Sequence, residues 1–416
     1  MTDASAAIDV TPLGPAFDLL GATDERGFLL ERGGLGVAAA GDGAILEVQG
    51  AGDAIRDAGR LALRSLRSFR RDRGAAAPVA VGALPFGPGP VTLHIPRLVV
   101  RRTEPGRTWL LESDGSSSDG TPSGSASSRR RSAVIPHDAF TELQLTPRPA
   151  PVAFTDAVRA AVERIAAGPL RKVVLARQLE VDAGRPLDAA LLAARLRSVD
   201  PDAYTFVAPT HRGTLVGASP ELLLSRRGQR IGSNPLAGSA PRSGDPDEDR
   251  SSARDLHDSA KDREEHAIVV EAVAETLGPF CERLAWDPEP VLLATANVWH
   301  LSTRFAGTLR DPAPDALELV AALHPTPAVC GSPRDEARAA IGELEPFDRG
   351  SYAGPVGWMD AEGDGDWAIA LRCAEIDGEH ATLYAGAGIV AASEPGAELE
   401  ETERKFRAFL DSLRWG

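Results

Sequence analysis

The sequence predicts an α+β fold, and three observations point to this class. The chain has 416 residues, of which 43% are hydrophobic and 25% charged, as in a globular protein with a sizeable core. Short apolar runs broken by glycine and proline are typical of strands and turns. Between them lie longer segments whose apolar residues recur at helical spacing. The length would allow two or three domains, but we expect one large α+β domain.

The first 150 residues are predicted to form strands, one helix and one disordered loop. Helical spacing over residues 54–70, with arginines on the outer side, predicts the helix. Residues 113–132 are rich in serine and low in complexity, which predicts a disordered surface loop. We find no catalytic constellation in this part of the sequence. The predicted strands are 27–30, 44–48, 78–84, 91–95 and 98–100.

The second part of the chain, residues 151–414, alternates between helices and strands. Gly278 and Pro279 end a long predicted helix, and loops are predicted at 234–242 and 324–331. The predicted helices are 154–167, 187–199, 253–276, 316–323, 334–344 and a last one through 406–413. The predicted strands are 171–181, 205–208, 214–217, 222–227, 291–297, 302–308, 354–359, 367–376, 381–385 and 388–391.

Composition limits the kinds of partner. The formal net charge is −15, which argues against binding to nucleic acid or to an anionic membrane. The cysteines Cys281, Cys330 and Cys373 are too widely spaced for a disulfide framework or a metal-binding motif, so we expect a reducing cytoplasm. The N-terminus lacks the pattern of a signal peptide, and no apolar run is long enough to cross a bilayer.

One stretch, residues 384–405, combines a glycine-rich run with charges at helical spacing. Glu398, Glu401 and Lys405 share one face of a helix, because they lie three and seven residues apart. Two carboxylates one turn apart suit a hard divalent cation. Bare backbone at Gly386 and Gly388 can approach a ligand closely and donate N–H groups to a carboxylate. The alternative is a solvated helix face that follows an ordinary turn.

Two further residues are candidates for acid–base chemistry. Lys172 lies in an apolar strand, where burying an ammonium group costs free energy unless it is paired or loses its proton. It is therefore a candidate general base, and the alternative is an edge-strand lysine that faces water. Glu221 lies between a tight turn and an apolar strand, which tends to raise the pKa of a carboxyl and favours a general acid. The alternative for Glu221 is a surface turn.

Two more residues could bind ligands. Glu265 lies in the middle of the long predicted helix and could be a further metal carboxylate. Its alternative is a helix-surface ion pair with Lys261, four residues earlier. Arg372 lies among apolar residues of a predicted strand, which suggests a guanidinium fork that binds a carboxylate. Its alternative is an arginine that faces outward.

Taken together, these stretches resemble the chorismate-utilising enzymes, the family of anthranilate, aminodeoxychorismate, salicylate and isochorismate synthases. The resemblance covers 151–414, has no motif in 1–110, and implies two packed antiparallel sheets flanked by helices. It implies that 1–150 is the variable N-terminal half of the fold and that 151–414 is the chorismate-binding catalytic region. Seven segments match in the family's order: 171–177, 217–223, 235–242, 261–266, 370–376, 384–390 and 394–405.

Within the family, the sequence HPTPAVCG at 324–331 is similar to the isochorismate synthase form. Anthranilate and salicylate synthases tend to have threonine where this chain has Ala328. The resemblance implies an Mg-dependent, reversible conversion of chorismate to isochorismate, with water as nucleophile and no glutamine amidotransferase partner. We expect a monomer that acts in menaquinone synthesis. The alternatives are synthesis of a 2,3-dihydroxybenzoate siderophore or of salicylate, and a relative that binds chorismate without catalysis.

The same resemblance implies a role for each candidate residue. Lys172 would deprotonate the water that attacks ring carbon 2, and Glu221 would protonate the hydroxyl that leaves ring carbon 4. Mg would be held by Glu265 and Glu401, with Glu398 close by. The residues implied to bind the enolpyruvyl carboxylate or to line the ring are Arg372, Lys405, Tyr384, Gly386, Gly388, Gly238, Ser239, Ala240, His300, Thr326 and Ala328.

Overall fold

A computed structural model describes most of the chain. The described residues are 8–14, 17–24, 27–50, 53–69, 77–113 and 143–413. The predicted serine-rich loop at 113–132 lies outside them, apart from Ser113, which ends a strand.

The described residues contain eight α-helices, most of which begin at a recognisable signal. The carboxylate of Asp188, for example, accepts hydrogen bonds from the backbone N–H groups of Ala190 and Leu191 at the start of the third helix. The helices are α1 (Ala54–Arg67), α2 (Pro151–Ala167), α3 (Ala189–Val199), α4 (Pro246–Asp258), α5 (Ala260–Leu277), α6 (Ala316–Leu323), α7 (Arg334–Leu344) and α8 (Pro395–Leu413).

The same residues contain 24 strands. In chain order the first twelve are β1 (Ile8–Leu13), β2 (Phe28–Arg32), β3 (Leu35–Ala40), β4 (Ala44–Val48), β5 (Val79–Ala83), β6 (Val91–Ile95), β7 (Leu98–Glu104), β8 (Arg107–Ser113), β9 (Gln144–Arg148), β10 (Lys172–Asp182), β11 (Tyr204–Thr210) and β12 (Gly213–Ser219). The others are β13 (Leu222–Arg227), β14 (Arg230–Asn234), β15 (Leu236–Pro241), β16 (Cys281–Trp286), β17 (Val291–Ala294), β18 (Val298–Ser302), β19 (Phe305–Leu309), β20 (Gly331–Ser332), β21 (Pro355–Asp360), β22 (Gly365–Ile369), β23 (Cys373–Asp377) and β24 (His380–Ile389).

The strands form two large antiparallel sheets and one small one. The first sheet has the order β1-β8-β7-β3-β2-β11-β12-β23-β24-β10-β20, with β9 also paired to β10. The second has the order β16-β19-β14-β13-β22-β21-β5-β6-β4. The predicted α+β class and the two large antiparallel sheets are confirmed, whereas the small third sheet, β15-β18-β17, was not predicted.

The main hydrophobic core joins the two large sheets. Phe28 and Val37 of the first sheet belong to the same buried cluster as Val81 and Trp358 of the second. A second buried cluster covers the other face of the first sheet, where α3 and α8 contribute apolar side chains such as Phe406. Among the described residues, no helix is long and apolar enough to span a bilayer.

Two predicted elements around the mouth of the site are wrong. The predicted helix 253–276 is two helices, α4 and α5, because Ser259 adopts an extended backbone and its side chain accepts a hydrogen bond from the N–H of Asp262. The predicted loop 234–242 contains β15, which pairs with β18. The pairing has a bulge at Gly238, where a φ of +74° favours glycine. A local helix cap therefore determines the structure of the first segment, and pairing with a distant strand determines that of the second.

Four other predicted strands differ because of the sheet or the partner strand that they join. Residues 367–376 form β22 in the second sheet and β23 in the first, and residues 302–308 span the end of β18 and most of β19. Residues 381–385 and 388–391 belong to one strand, β24, because its glycines pair along the whole length of β10. Hydrophobic alternation alone does not show where a chain leaves one sheet for another.

Two such passages from sheet to sheet lie side by side. The chain leaves β12 for β13 at Glu221, and it leaves β22 for β23 at Arg372. Backbone hydrogen bonds join them: the N–H of Ile369 donates to the carbonyl of Glu221, and that of Ala218 to the carbonyl of Arg372. Both candidate residues are thereby fixed at one point of the fold.

Candidate functional site

A pocket of about 740 Å³, its open mouth included, lies beside these two passages. It is lined by most of the residues that the sequence singled out. These are Glu221, Gly238, Ser239, Glu265, His300, Ala328, Arg372, Tyr384, Gly386, Gly388, Glu401 and Lys405. Four predicted site residues do not line it directly: Lys172, Ala240, Thr326 and Glu398.

Lys172 lies immediately behind the pocket wall. It is fully buried on β10, which has neighbours on both sides, so the alternative of an edge-strand lysine facing water is wrong. Its Nζ is 2.9 Å from Oε1 of Glu265 on α5. Within the described part of the chain, Nζ has no hydrogen-bond acceptor in good geometry, so the contact is an ion pair without a directed hydrogen bond. The ammonium group therefore has hydrogen-bonding capacity that no described atom uses.

Glu221 is the most strongly perturbed acid in the pocket. Only 2% of its surface is exposed, so the alternative of a surface turn is wrong. Burial raises the pKa of its carboxyl to about 8, and the charge of Lys172 and a hydrogen bond from the backbone of Leu236 only partly oppose the shift. A carboxyl in this environment holds its proton at neutral pH and can donate it.

The inner face of α8 brings two carboxylates and a lysine to the site, as predicted. Nζ of Lys405 donates to Glu401 at 2.6 Å and to the carbonyl oxygen of Gly386 at 2.7 Å. Glu398 is buried, and its carboxylate accepts from Nζ of Lys261 at 2.9 Å. The alternative of a solvated helix face is therefore wrong.

Negative charge is concentrated between α5 and α8. Burial and then the charge of Glu401 raise the pKa of Glu398. Burial also opposes ionisation of Glu401, but Lys405, Lys261 and a hydrogen bond from Ser239 together lower the pKa of Glu401. Burial also raises the pKa of Asp262, with Glu265 and Glu401 adding to the shift. In the described residues, however, no three carboxylate, histidine or cysteine side chains are gathered in a ready-made metal cluster. The donor type fits a hard cation, but each of the three predicted ligands is paired with a lysine.

Arg372 lies at the opposite wall, between two strands rather than within one as predicted. Its φ of +49° is unusual for a residue with a side chain, and such strain is found mainly at functional sites. Its Nη2 donates a hydrogen bond to Nε2 of His300 at 2.8 Å. Because Nε2 of this neutral ring accepts, the ring proton is on Nδ1, which donates to the carbonyl of Gly238 at 3.3 Å. Burial and then Arg372 lower the pKa of His300 well below its usual value, which keeps the imidazole neutral. The guanidinium lines the pocket, so the outward-facing alternative is wrong.

A pair of stacked tyrosines forms part of the floor. Tyr384 on β24 stacks on Tyr352 with ring centroids 4.9 Å apart, and its hydroxyl donates to Glu375 at 3.4 Å. Tyr352 was not predicted from the sequence. The chain has only three tyrosines, and two of them line this pocket, so their rarity was a usable signal.

Lys261 was also missed as a site residue. It pairs with Glu398 and not with Glu265, whose partner is Lys172, so the predicted alternative for Glu265 is wrong.

Two predicted site residues remain, Thr326 and Ala240. Thr326 is buried, and its hydroxyl has no hydrogen-bond partner among the described atoms. Ala240 lines a neighbouring surface groove. Their contact with a substrate ring stays a prediction.

Gly388 provides a direct test of this geometry. A Cβ at this position would lie 2.3 Å from Oε1 of Glu265 and 3.2 Å from Cε of Lys172. We therefore expect Gly388→Ala to displace this ion pair and to lower kcat/KM by at least about tenfold, since misplacing reacting groups by about 1 Å can cost 100-fold. Gly396→Ala on α8 is the control, because a Cβ there meets nothing within 4 Å. Equal kinetics for the two variants would contradict the geometry.

Comparison with known proteins identifies the family. A family model described as "Chorismate binding enzyme" matches residues 92–414. The chain belongs to the chorismate-binding enzymes. The isochorismate synthase DhbC of Bacillus subtilis is 49% identical over 276 residues, which cover 65% of this chain and 69% of that protein. The family resemblance predicted from seven sequence segments is therefore confirmed.

Two solved structures of this family extend the likeness to the fold. One, from Bacillus anthracis, carries the name 2,3-dihydroxybenzoate-specific isochorismate synthase. It is 37% identical with a TM-score of 0.81 and covers 96% of this chain and 99% of that one. The other is the menaquinone-specific isochorismate synthase of Escherichia coli. It is 27% identical with a TM-score of 0.80 and covers 99% of this chain and 95% of that one.

Proposed function

We propose that the protein is an isochorismate synthase, which converts chorismate reversibly to isochorismate. The observation that carries this proposal is Glu221, a carboxyl with a pKa of about 8 that lines the pocket and is electrostatically coupled to the buried Lys172. A protonated acid in the pocket and a buried amine behind its wall suit a reaction in which water enters at one atom and hydroxide leaves from another. The relatives' names support the same reaction.

In the proposed mechanism, Lys172 in its neutral amine form takes a proton from water as the oxygen of that water bonds to ring carbon 2. Both ring double bonds shift by one position, the bond from ring carbon 4 to its hydroxyl breaks, and Glu221 protonates the departing oxygen. The product is an isomer of the substrate, so no other reactant is needed. Each proton transfer by a placed side chain typically contributes about 10²–10⁴-fold.

The charged residues of the pocket would bind the two carboxylates of chorismate. The chain carries a net charge of −15, so a dianion needs concentrated local positive charge. Arg372 and Lys405 supply this positive charge from opposite walls of the pocket. The bare backbone at Gly386 and Gly388 allows the substrate to approach closely. Mg²⁺ would be held by Glu265, Glu398 and Glu401, where it would supply charge that binds the ring carboxylate.

Two other readings of the site are less favoured. Salicylate synthesis would also release pyruvate, and Ala328 at the pocket wall argues against it, as it did in the sequence. A non-catalytic relative need not retain Lys172, Glu221, Glu265 and Glu401, all of which lie together here.

The proposed reaction uses water as its nucleophile and needs no subunit that supplies ammonia. We therefore propose that the protein is a monomer that acts alone, and we place it in the cytoplasm.

The product assay tests the reaction and the metal together. Incubation of the purified protein with chorismate and Mg²⁺ should give isochorismate at equilibrium, without stoichiometric pyruvate. EDTA should abolish turnover, and added Mg²⁺ should restore it. Pyruvate release in every turnover would replace the isomerase with a lyase, and full activity after rigorous chelation would rule out the metal.

We further propose menaquinone synthesis as the pathway that uses the product. The Escherichia coli relative carries this pathway in its name, whereas the Bacillus anthracis relative carries the 2,3-dihydroxybenzoate pathway of siderophores. Deletion of the gene should abolish menaquinone while leaving catechol production intact. Loss of the catechol alone would favour the siderophore pathway.

A further inference from the structure

One stretch of β10 lies between two neighbouring strands and pairs with neither. Opposite β24, the first two residues of β10, Lys172 and Val173, pair with β20, and residues 178–182 pair with β9. The backbone groups of residues 174–177 on this side lie in the gap between β20 and β9. Buried backbone N–H and C=O groups cost free energy unless they are hydrogen-bonded, so the gap needs other partners. The stretch follows directly after the proposed general base.

A buried ion pair between Glu345 and Arg349 fills this gap. Oε1 of Glu345 accepts a hydrogen bond from the N–H of Ala176 at 2.7 Å, and Nη2 of Arg349 donates to the carbonyl of Val174 at 2.8 Å. The two side chains also bind each other, with Nε of Arg349 donating to Oε2 of Glu345 at 2.9 Å. Both side chains are buried, with exposed fractions of 2% and 3%. The ion pair thus takes the place of a strand beside β10.

Arg349 also reaches a second wall of the pocket. Its Nη1 donates a hydrogen bond to the carbonyl of Val329 at 2.8 Å. Val329 follows Ala328 in the sequence, and both residues line the pocket, as does Val174 on β10. Val174 and Lys172 lie two residues apart on one strand, so their side chains share a face. One guanidinium group therefore connects the strand that carries the proposed base to the segment that carries Ala328.

Stability alone does not explain an ion pair at this place. Removing two charges from water costs free energy, and well-packed apolar side chains of similar volume would stabilise a core at least as well. Arginine adds a rigid planar fork whose separate nitrogens bind separate acceptors at a fixed spacing. In Arg349, Nη1 and Nη2 bind backbone carbonyls on two different walls of the pocket.

We propose that Arg349, held in place by Glu345, is a positioning residue that fixes β10 and the segment 324–331 relative to each other. It thereby sets the place of Lys172 relative to the substrate. The inference deepens the proposed function and rests on it for the role of Lys172. Arg349 lies behind the pocket wall and acts only through the backbone that it binds.

Steady-state kinetics with chorismate and Mg²⁺ test the positioning role in Arg349→Lys. This variant keeps the positive charge beside Glu345, but the single nitrogen of lysine cannot replace both Nη1 and Nη2. We expect kcat to fall by at least about tenfold, because a displacement of about 1 Å can cost ~100-fold in rate. KM should change little, since Arg372 and Lys405, the proposed ligands of the substrate carboxylates, lie on other elements.

Arg101→Lys is the matched control. Arg101 also pairs with a buried carboxylate, that of Asp360 at 3.0 Å, but it does not line the pocket. Its guanidinium carbon lies 4.5 Å from the ring centroid of Trp358, as that of Arg349 lies 4.2 Å from the centroid of Phe86. At a temperature well below Tm, this control should keep the wild-type kcat. A merely structural role for Arg349 would lower Tm and leave kcat unchanged.

Hydrogen exchange followed by mass spectrometry tests the bridge without the reaction. In Arg349→Lys, the amides of peptides that cover residues 172–177 and 324–331 should exchange faster than in the wild type, because both segments lose a hydrogen bond. In Arg101→Lys, the exchange of the same peptides should match the wild type.

The outcomes separate this inference from the proposed function. If Arg349→Lys keeps the wild-type kcat, or loses no more than Arg101→Lys, the positioning role is overturned and the proposed function stands. If the wild type makes no isochorismate, the proposed function fails, and unchanged exchange in Arg349→Lys would overturn the bridge as well. If Arg349→Lys does not fold, Glu345→Gln replaces it in both measurements. In either orientation its amide nitrogen would oppose an N–H group of Arg349 or of Ala176.

Discussion

Replacing Lys172 by alanine should lower kcat for isochorismate formation by roughly 10²–10⁴-fold, the usual contribution of a general base. The side chain is fully buried, its Nζ has no acceptor in good geometry among the described atoms, and its ion-pair partner Glu265 lines the pocket. Lys405, which lines the same pocket, already donates hydrogen bonds to Glu401 and to the carbonyl of Gly386. Steady-state kinetics with chorismate measure the loss.

Arg171→Ala is the matched control for this variant. Arg171 is the preceding residue, more than half exposed, with only a loose contact of 3.9 Å to Glu271. Its loss should leave kcat near the wild-type value, because exposed ion pairs contribute little. Chorismate binding to Lys172→Ala, measured by calorimetry, should be largely retained because Arg372 and Lys405 are intact. Near-normal turnover by Lys172→Ala would remove it from the mechanism.

The fold could be predicted from the sequence where local signals act alone. The predicted strand 171–181 and the helices 316–323 and 334–344 match β10, α6 and α7 closely, because apolar spacing and flanking breakers define them. The predicted strand 367–376 failed because its two halves belong to different sheets. That choice depends on partners far away in the sequence, which local patterns do not contain.

The site could be predicted where a residue is unusual for its local setting. Lys172 among apolar residues and Glu221 beside a turn were recognisable for this reason, and both are buried at the pocket. The pairing of charges could not be predicted, because α5 and α8 meet only in the folded chain. Spacing along α5 favoured a pair between Lys261 and Glu265, but Lys261 reaches across to Glu398 instead.

Glu221 makes a specific prediction for pH dependence and stability. Its folded pKa of about 8 lies above its ordinary value of 4.5, so the folded protein binds a proton that the unfolded chain has released between these values. Its contribution to stability is therefore fully present below about pH 4.5 and is lost as pH rises through about 8. Glu221→Gln cannot ionise, so the variant should be more stable than the wild type at pH 9, by denaturant unfolding. Equal stability at pH 9 would contradict the raised pKa.

The same substitution should lower kcat by roughly 100-fold or more, with little change in KM. Glutamine keeps the shape of the side chain but has no acidic proton, and hydroxide is a poor leaving group unless it is protonated. The wild-type kcat/KM should fall above about pH 8 as Glu221 loses its proton, and this decline should be absent from the residual activity of Glu221→Gln. Glu31→Gln is the control, because Glu31 is a buried carboxylate that pairs with Arg197 away from the pocket. Normal turnover by Glu221→Gln would mean that another group protonates the departing hydroxyl. If kcat/KM of Glu221→Gln still declined above about pH 8, a residue other than Glu221 would cause the alkaline decline of the wild type.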